Sequence, residues 1–238
     1  MPLAEPPLLE AHGLERRFGP SAVLRGLDLS VHPGEILLVL GENGSGKTTL
    51  LRLLAGLLRP SRGHVTLEGH RLNPANVALR RRVGLLSHQS HMYDELSLRE
   101  NLEFAGRLYG LSDPSTSATR AIAGAGLEQR ADDRLGRLSR GMLQRAAIAR
   151  AFIHEPRVML LDEPFTALDA PSADRVRAWL TRRATGQSAI IMVTHQPAQV
   201  WDLATHVGVI AAGRWAMVEP RPSGFEAFER RYREAIRV

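Results

Sequence analysis

Gly41-Glu42-Asn43-Gly44-Ser45-Gly46-Lys47-Thr48 decides how this 238-residue chain is read. The octet fits G-x-x-x-x-G-K-[ST], the spacing of a phosphate-binding P-loop. Its glycines allow backbone N–H groups to turn inward toward a phosphate chain. Of the 31 lysines and arginines in the chain, Lys47 alone is a lysine. A loop wrapped around phosphates admits a compact ammonium on a thin stem, where a planar guanidinium is too wide. The apolar run Ile36-Leu37-Leu38-Val39-Leu40 before the octet reads as a buried strand. Thr48-Thr49-Leu50-Leu51-Arg52-Leu53-Leu54 reads as the start of a helix, whose N-terminus adds partial positive charge. Gly41 to Thr48, together with Thr49, are therefore the expected nucleotide-binding residues.

A second acidic element lies more than a hundred residues on. Val158-Met159-Leu160-Leu161-Asp162-Glu163 is an apolar strand ending in two carboxylates, a Walker B pattern, and it is expected beside the P-loop strand. Asp162 can then hold Mg²⁺ while Thr48 supplies a hydroxyl ligand. Glu163, one step further, is placed to orient and deprotonate an attacking water.

Around these two motifs the pattern alternates. From Leu8 to about Pro33 apolar and polar residues interchange, as expected for antiparallel strands, and Pro33-Gly34 is a turn. The P-loop helix is expected to end near Gly56. His64 to Gly69 and Val83 to Ser87 read as strands. From about 91 to 155 the period becomes helical, as in Leu98-Arg99-Glu100-Asn101-Leu102-Glu103-Phe104-Ala105, with a break at Asp113-Pro114-Ser115-Thr116-Ser117. Strand character returns at 157–161, 189–193 and 206–210. Near the end, Ser223-x-x-Glu226 fits a capping box opening an amphipathic helix, with Phe225, Phe228, Tyr232 and Ile236 on one face.

Composition narrows the classes. There are no cysteines, which excludes disulfides, Cys-zinc sites and thiol nucleophiles. No apolar run approaches the roughly twenty residues that span a bilayer. Met1 to Pro7 lacks a basic and then apolar leader, so no signal peptide is expected. The net charge of +6 is spread over arginines interleaved with acids, and no nucleic acid partner is expected.

Further residues carry a resemblance. Leu138-Ser139-Arg140-Gly141-Met142-Leu143-Gln144-Arg145 resembles the LSGGQ-x-QR signature of ABC transporter nucleotide-binding subunits. Gln89 fits the Q-loop, Thr166-Ala167-Leu168-Asp169 the D-loop, His195 the switch histidine and Phe18 the aromatic that stacks on adenine. All occur in the family's order over residues 8–215. The resemblance implies an α/β fold, namely a P-loop NTPase (RecA-like) core with an antiparallel β subdomain and an inserted α-helical subdomain at about 91–155. A C-terminal tail, 216–238, follows. It also implies ATP and Mg²⁺ as cofactors. Glu163, His195 and Gln89 would be catalytic, and Thr48, Gln89 and Asp162 would hold the metal. Ser139 and Gly141 would meet the γ-phosphate bound by the opposite subunit of an ATP-bound homodimer. An integral membrane permease subunit would receive the motion through the surface at 91–98. That arrangement places the chain peripherally on the cytoplasmic face of a bacterial inner membrane. Arg140 and Met142 depart from the family's glycine and glutamine.

The wording Leu85-Leu86-Ser87-His88-Gln89-Ser90 and Ser139-Arg140-Gly141-Met142 is similar to haem-exporter ATP-binding subunits of cytochrome c maturation, whose partner would be the B-type haem exporter subunit. Another ABC exporter is the main alternative. A soluble ABC ATPase acting on DNA or ribosomes fits less well, because the chain has neither a second P-loop nor long heptads.

Overall fold

The structure, a computed structural model, describes residues 5–236. The first four residues of the leader reading and the last two of the tail lie outside them.

Alternation at the N-terminus produces β1 (Leu9–Phe18) and β2 (Ser21–Val31), paired antiparallel. The continuous apolar run becomes β3 (Ile36–Leu40), buried at every position, and feeds α1 (Lys47–Leu54). There follow β4 (Arg62–Leu67), β5 (His70–Leu72), the single turn α2 (Val77–Arg80) and β6 (Val83–Leu86). The helical stretch contains α3 (Leu98–Tyr109), α4 (Pro114–Ala125) and α5 (Arg140–Ala151). The chain then runs through β7 (Val158–Asp162), α6 (Ala170–Thr185), β8 (Ala189–Val193), β9 (His206–Ala211), β10 (Arg214–Pro220) and α7 (Phe225–Ala235).

Two sheets result, one of four antiparallel strands in the order β2-β1-β4-β5 and one of six in the order β10-β9-β3-β8-β7-β6. The larger sheet is parallel except at β10. It is covered on both faces, which is why its inner strands are apolar throughout. Side chains alternate between the faces. Leu37 and Val39 join α1 and the smaller sheet in one core, whereas Ile36, Leu38 and Leu40 join α5, α6 and α7 in a second. A third core, centred on Leu98, Leu102, Ile122 and Leu135, lies within the helical insertion. This is the α/β P-loop architecture with an antiparallel β subdomain and an inserted helical subdomain.

Several local expectations need correcting. The Walker B strand β7 is not beside β3, because β8 lies between them. Parallel neighbours need long crossovers, and strands adjacent in function need not be adjacent in space. Asp113-Pro114 is not a gap in the helical pattern but a helix start. The Asp113 carboxylate accepts the Thr116 N–H at 3.0 Å, and Pro114 occupies the first helical position, where no N–H is needed. Ser223 does not cap α7. Gly224 holds the N-cap position without a side-chain bond, and Phe228, buried against Trp201, fixes the helix instead. β10 crosses position 215, so the segment after it holds the end of a strand as well as a helix. Among the described residues no helix is long and apolar enough to cross a membrane.

Candidate functional site

The loop from β3 to α1 has a backbone that only glycine supports at two points. Gly41 has φ +150°, and a Cβ there would lie 2.4 Å from the Ile210 carbonyl oxygen. Gly46 has φ +106°, and a Cβ there would lie 2.5 Å from Leu24 Cδ2. Gly46 is also the N-cap of α1, which has no side-chain cap and no acid in its first turn. The first N–H groups of α1 are thus left for an anion. Lys47 is buried, its Nζ donating to the carbonyls of Gly41 and Glu42 at 2.8 Å each. Burial lowers its pKa, and the charges of Glu163 and Asp162 oppose that shift.

The carboxylates arrive from the end of β7. Thr48 Oγ1, in the first turn of α1, donates to Asp162 Oδ2 at 3.0 Å, although β3, which feeds α1, is separated from β7 by β8. Glu163 has φ +54°, an uncommon conformation for a glutamate. Its N–H bonds Val193 O at 2.9 Å, and Gln144 Nε2 donates to the carbonyls of Glu163 and Pro164 at 3.1 Å each. Glu163 Oε2 accepts from Thr194 Oγ1 at 3.1 Å, while Oε1 is buried with no hydrogen-bond partner, 3.6 Å from His195 Nε2. Burial raises the Glu163 pKa; His195 and the Thr194 hydrogen bond pull it back.

A cleft of about 250 Å³ joins these groups. Asn43, Gly44, Gly46, Lys47, Thr48 and Thr49 line one side, and Asp162, Glu163 and His195 the other. Ser45 Oγ is buried and unpartnered beside Gly41, and Glu42 is exposed. The donor set suits a magnesium nucleotide. Glycine cradles, free helix amides and a lysine suit phosphates. Thr48 and Asp162 offer hard oxygens to Mg²⁺, which takes one or two protein groups and completes its shell with phosphate and water.

Of the predicted residues, Gly41, Glu42 and Ser45 belong to the loop without lining the cleft, and Gln89, Phe18, Ser139 and Gly141 lie off it. Gln89 is exposed and does not line it. Phe18, at the end of β1, is exposed, with the Arg16 guanidinium 4.5 Å over its ring. Ser139 caps α5, its Oγ accepting the Met142 N–H at 3.3 Å. Gly141 sits against the Ala167 carbonyl of the D-loop, where a Cβ would approach to 2.9 Å.

Sequence reasoning missed His88, Thr194 and Gln144. His88 lines the cleft with Nε2 3.3 Å from Asp162 Oδ2. Its one available signal was adjacency to Gln89 at the end of a strand, and likewise Thr194 precedes His195.

The ABC transporter family model matches residues 24–166. The cytochrome c biogenesis ATP-binding export protein CcmA of Bordetella bronchiseptica is 39% identical over 198 residues, covering 83% of this chain and 87% of that protein. The ABC transporter ATP-binding protein NatA of Bacillus subtilis is 36% identical over 193 residues, covering 80% and 78%. Among solved structures, an ATP binding subunit of an ABC transporter superposes with a TM-score of 0.83 at 27% identity, covering 94% of this chain and 93% of its own. With a phosphate cradle, a Walker B pair and a family match across more than half its length, this chain belongs to the ABC transporter family as an ATP-binding, ATP-hydrolysing subunit.

Proposed function

We propose that the chain is the motor of a bacterial haem exporter serving cytochrome c maturation, working as an ATP-closed homodimer beneath a membrane permease. The observation that carries the ATPase part is the juxtaposition of Thr48, Asp162, Glu163 and His195 at the P-loop cleft. The backbone amides of Gly44 to Thr49 and the Lys47 ammonium bind the phosphate chain. Lys47 gives up its carbonyl partners for phosphate oxygens, which its position within the loop supports. Thr48 and Asp162 would hold Mg²⁺, and Gln89 would join them only if the segment following β6 turned toward the cleft. When bound, the ion neutralises charge on the phosphate oxygens. Glu163 orients the attacking water and accepts its proton, a role that its raised pKa and unpartnered Oε1 support. His195 contacts the γ-phosphate, and Phe18 offers an exposed ring to adenine.

Ser139 and Gly141 lie away from the cleft of their own chain, which supports a role at the partner's nucleotide. The α5 helix that starts at Ser139 also carries Gln144 to the Glu163 carbonyl, so signature and base share one rigid element. For the permease, a groove of about 320 Å³ beside α2 and α3 is lined by Leu57, Val77, His91, Leu108 and Tyr109. Arg80, Arg81 and Arg150 add positive charge there. We assign this groove to an apolar segment of the permease, on the cytoplasmic face of the inner membrane.

The haem reading rests on the CcmA similarity and the Ser87-His88-Gln89-Ser90 wording. The Nod factor export ATP-binding protein I of Burkholderia lata is 36% identical over 220 residues, which keeps another ABC exporter as the second reading. Deleting the gene and staining separated proteins for covalent haem separates them. Loss of c-type haem with b-type haem intact supports the first; normal c-type cytochromes reject it and leave the ATPase standing.

A further inference from the structure

A second cavity, of about 160 Å³, lies between α4, α5 and α6 and shares no lining residue with the nucleotide cleft. Its walls include the rings of Phe152 and Trp179, 5.4 Å apart and tilted by 44°. Four arginines, Arg120, Arg145, Arg175 and Arg183, also line it, against a single carboxylate, Glu155. Among the described residues none of the four makes an ion pair, although eight other arginines do. Arg145 and Arg183 reach only carbonyl oxygens, Arg145 those of Ala125 and Gly126, Arg183 that of Pro156. The Nε atoms of both are buried without a partner.

Arg145 and Arg183, the less exposed pair, lose hydration at their Nε atoms without a partner to replace it, whereas Arg120 and Arg175 are exposed and free to turn toward an anion. Burial, then the charge of Arg175, lowers the Arg145 pKa, and the Asp169 carboxylate opposes that shift. The volume sets the size of the guest, since a cavity of about 150 Å³ holds a single benzene ring. We propose that this cavity binds a single-ring aromatic oxyanion, its ring against Phe152 and Trp179 and its charged group among the arginines. Arg145 follows Gln144 on α5, so the guest would tie the signature helix to α6.

The test uses the full chain with MgADP saturating the P-loop, so that the phosphate cradle cannot take the probe. Benzoate, phenyl phosphate and benzyl alcohol are titrated while tryptophan fluorescence is followed. Either or both anions should bind saturably, the tighter one identifying carboxylate or phosphate as the preferred group. Benzyl alcohol should bind at least about tenfold more weakly, the value of one charge-assisted hydrogen bond. Trp179→Phe should retain binding by calorimetry while losing the fluorescence change, because Trp201 and Trp215 lie elsewhere. Arg120→Ala with Arg175→Ala, both at exposed positions, should weaken the anion about tenfold with MgADP affinity and Tm unchanged. No saturable binding, equal binding of benzyl alcohol, or undiminished binding by the double variant would each overturn the proposal.

Discussion

Replacing Thr194 by valine keeps the shape of a buried residue and removes one hydroxyl from Glu163. In the proposed mechanism Glu163 acts as the carboxylate. Burial already raises its pKa, and the bond from Thr194 is one of the groups holding it down. Without that bond the ionised form loses support and the pKa climbs further. The acid limb of the kcat profile therefore moves to higher pH. A hydrogen bond to a charged group contributes about 1.5–3 kcal/mol, and one pKa unit corresponds to about 1.4 kcal/mol. The Glu163 side chain is 15% exposed, so water recovers part of the loss, and turnover on the acid limb should fall about tenfold. The assay is ATP turnover at saturating MgATP across the neutral range, with ATP affinity as the control. Thr194 also accepts the Gln196 N–H at 3.1 Å, so Thr194→Ser, which keeps the hydroxyl, must restore the wild-type profile. An unchanged acid limb in the valine variant would refute the reasoning, because Glu163 would then not be the group whose ionisation limits turnover.

Other consequences are direct. Lys47→Ala should weaken ATP binding about a hundredfold in calorimetry, through loss of charge-assisted bonds to phosphate; unchanged affinity would remove Lys47 from the site. Gly46→Ala, with φ +106° and a Cβ 2.5 Å from Leu24 Cδ2, should abolish ATP binding and lower Tm, although it removes no ligand-binding atom. Phe228→Ala should lower Tm while sparing ATP affinity, the loss of about 3–5 kcal/mol for a buried phenylalanine being limited by undocking of α7.

Much of the fold was legible because its local signals are strong. The octet at Gly41–Thr48 fixed a strand, a tight loop and a helix together, and the change to helical period near 91 marked the insertion. Strand order was not legible. β3 and β8 are five-residue apolar runs and β7 is four apolar residues closed by Asp162, and nothing in such a run says which neighbour it takes. Asp113-Pro114 was misread because the same dipeptide can end one helix or begin the next, and only the Thr116 N–H bond decides. Ser223 matched a capping box by spacing alone, whereas burial of Phe228 sets where α7 starts. At the site, the motif residues Lys47, Thr48, Asp162, Glu163 and His195 could be picked out from the chain. His88 and Thr194 could not, since their significance comes from a 3.3 Å approach to Asp162 and a 3.1 Å bond to Glu163 made across the fold. The arginines around Phe152 and Trp179 look dispersed along the chain and gather only when α4, α5 and α6 pack.

The most direct test of the account is Glu163→Gln. The amide keeps the size of the side chain and its contact with Thr194, and it cannot take a proton from water. The variant should bind MgATP with wild-type affinity, hydrolyse it at least about a hundredfold more slowly, and elute from gel filtration in MgATP as a dimer where the wild type is mostly monomer. Near-normal turnover by a chain that stays monomeric in MgATP would contradict both the base assigned to Glu163 and the shared site completed by Ser139.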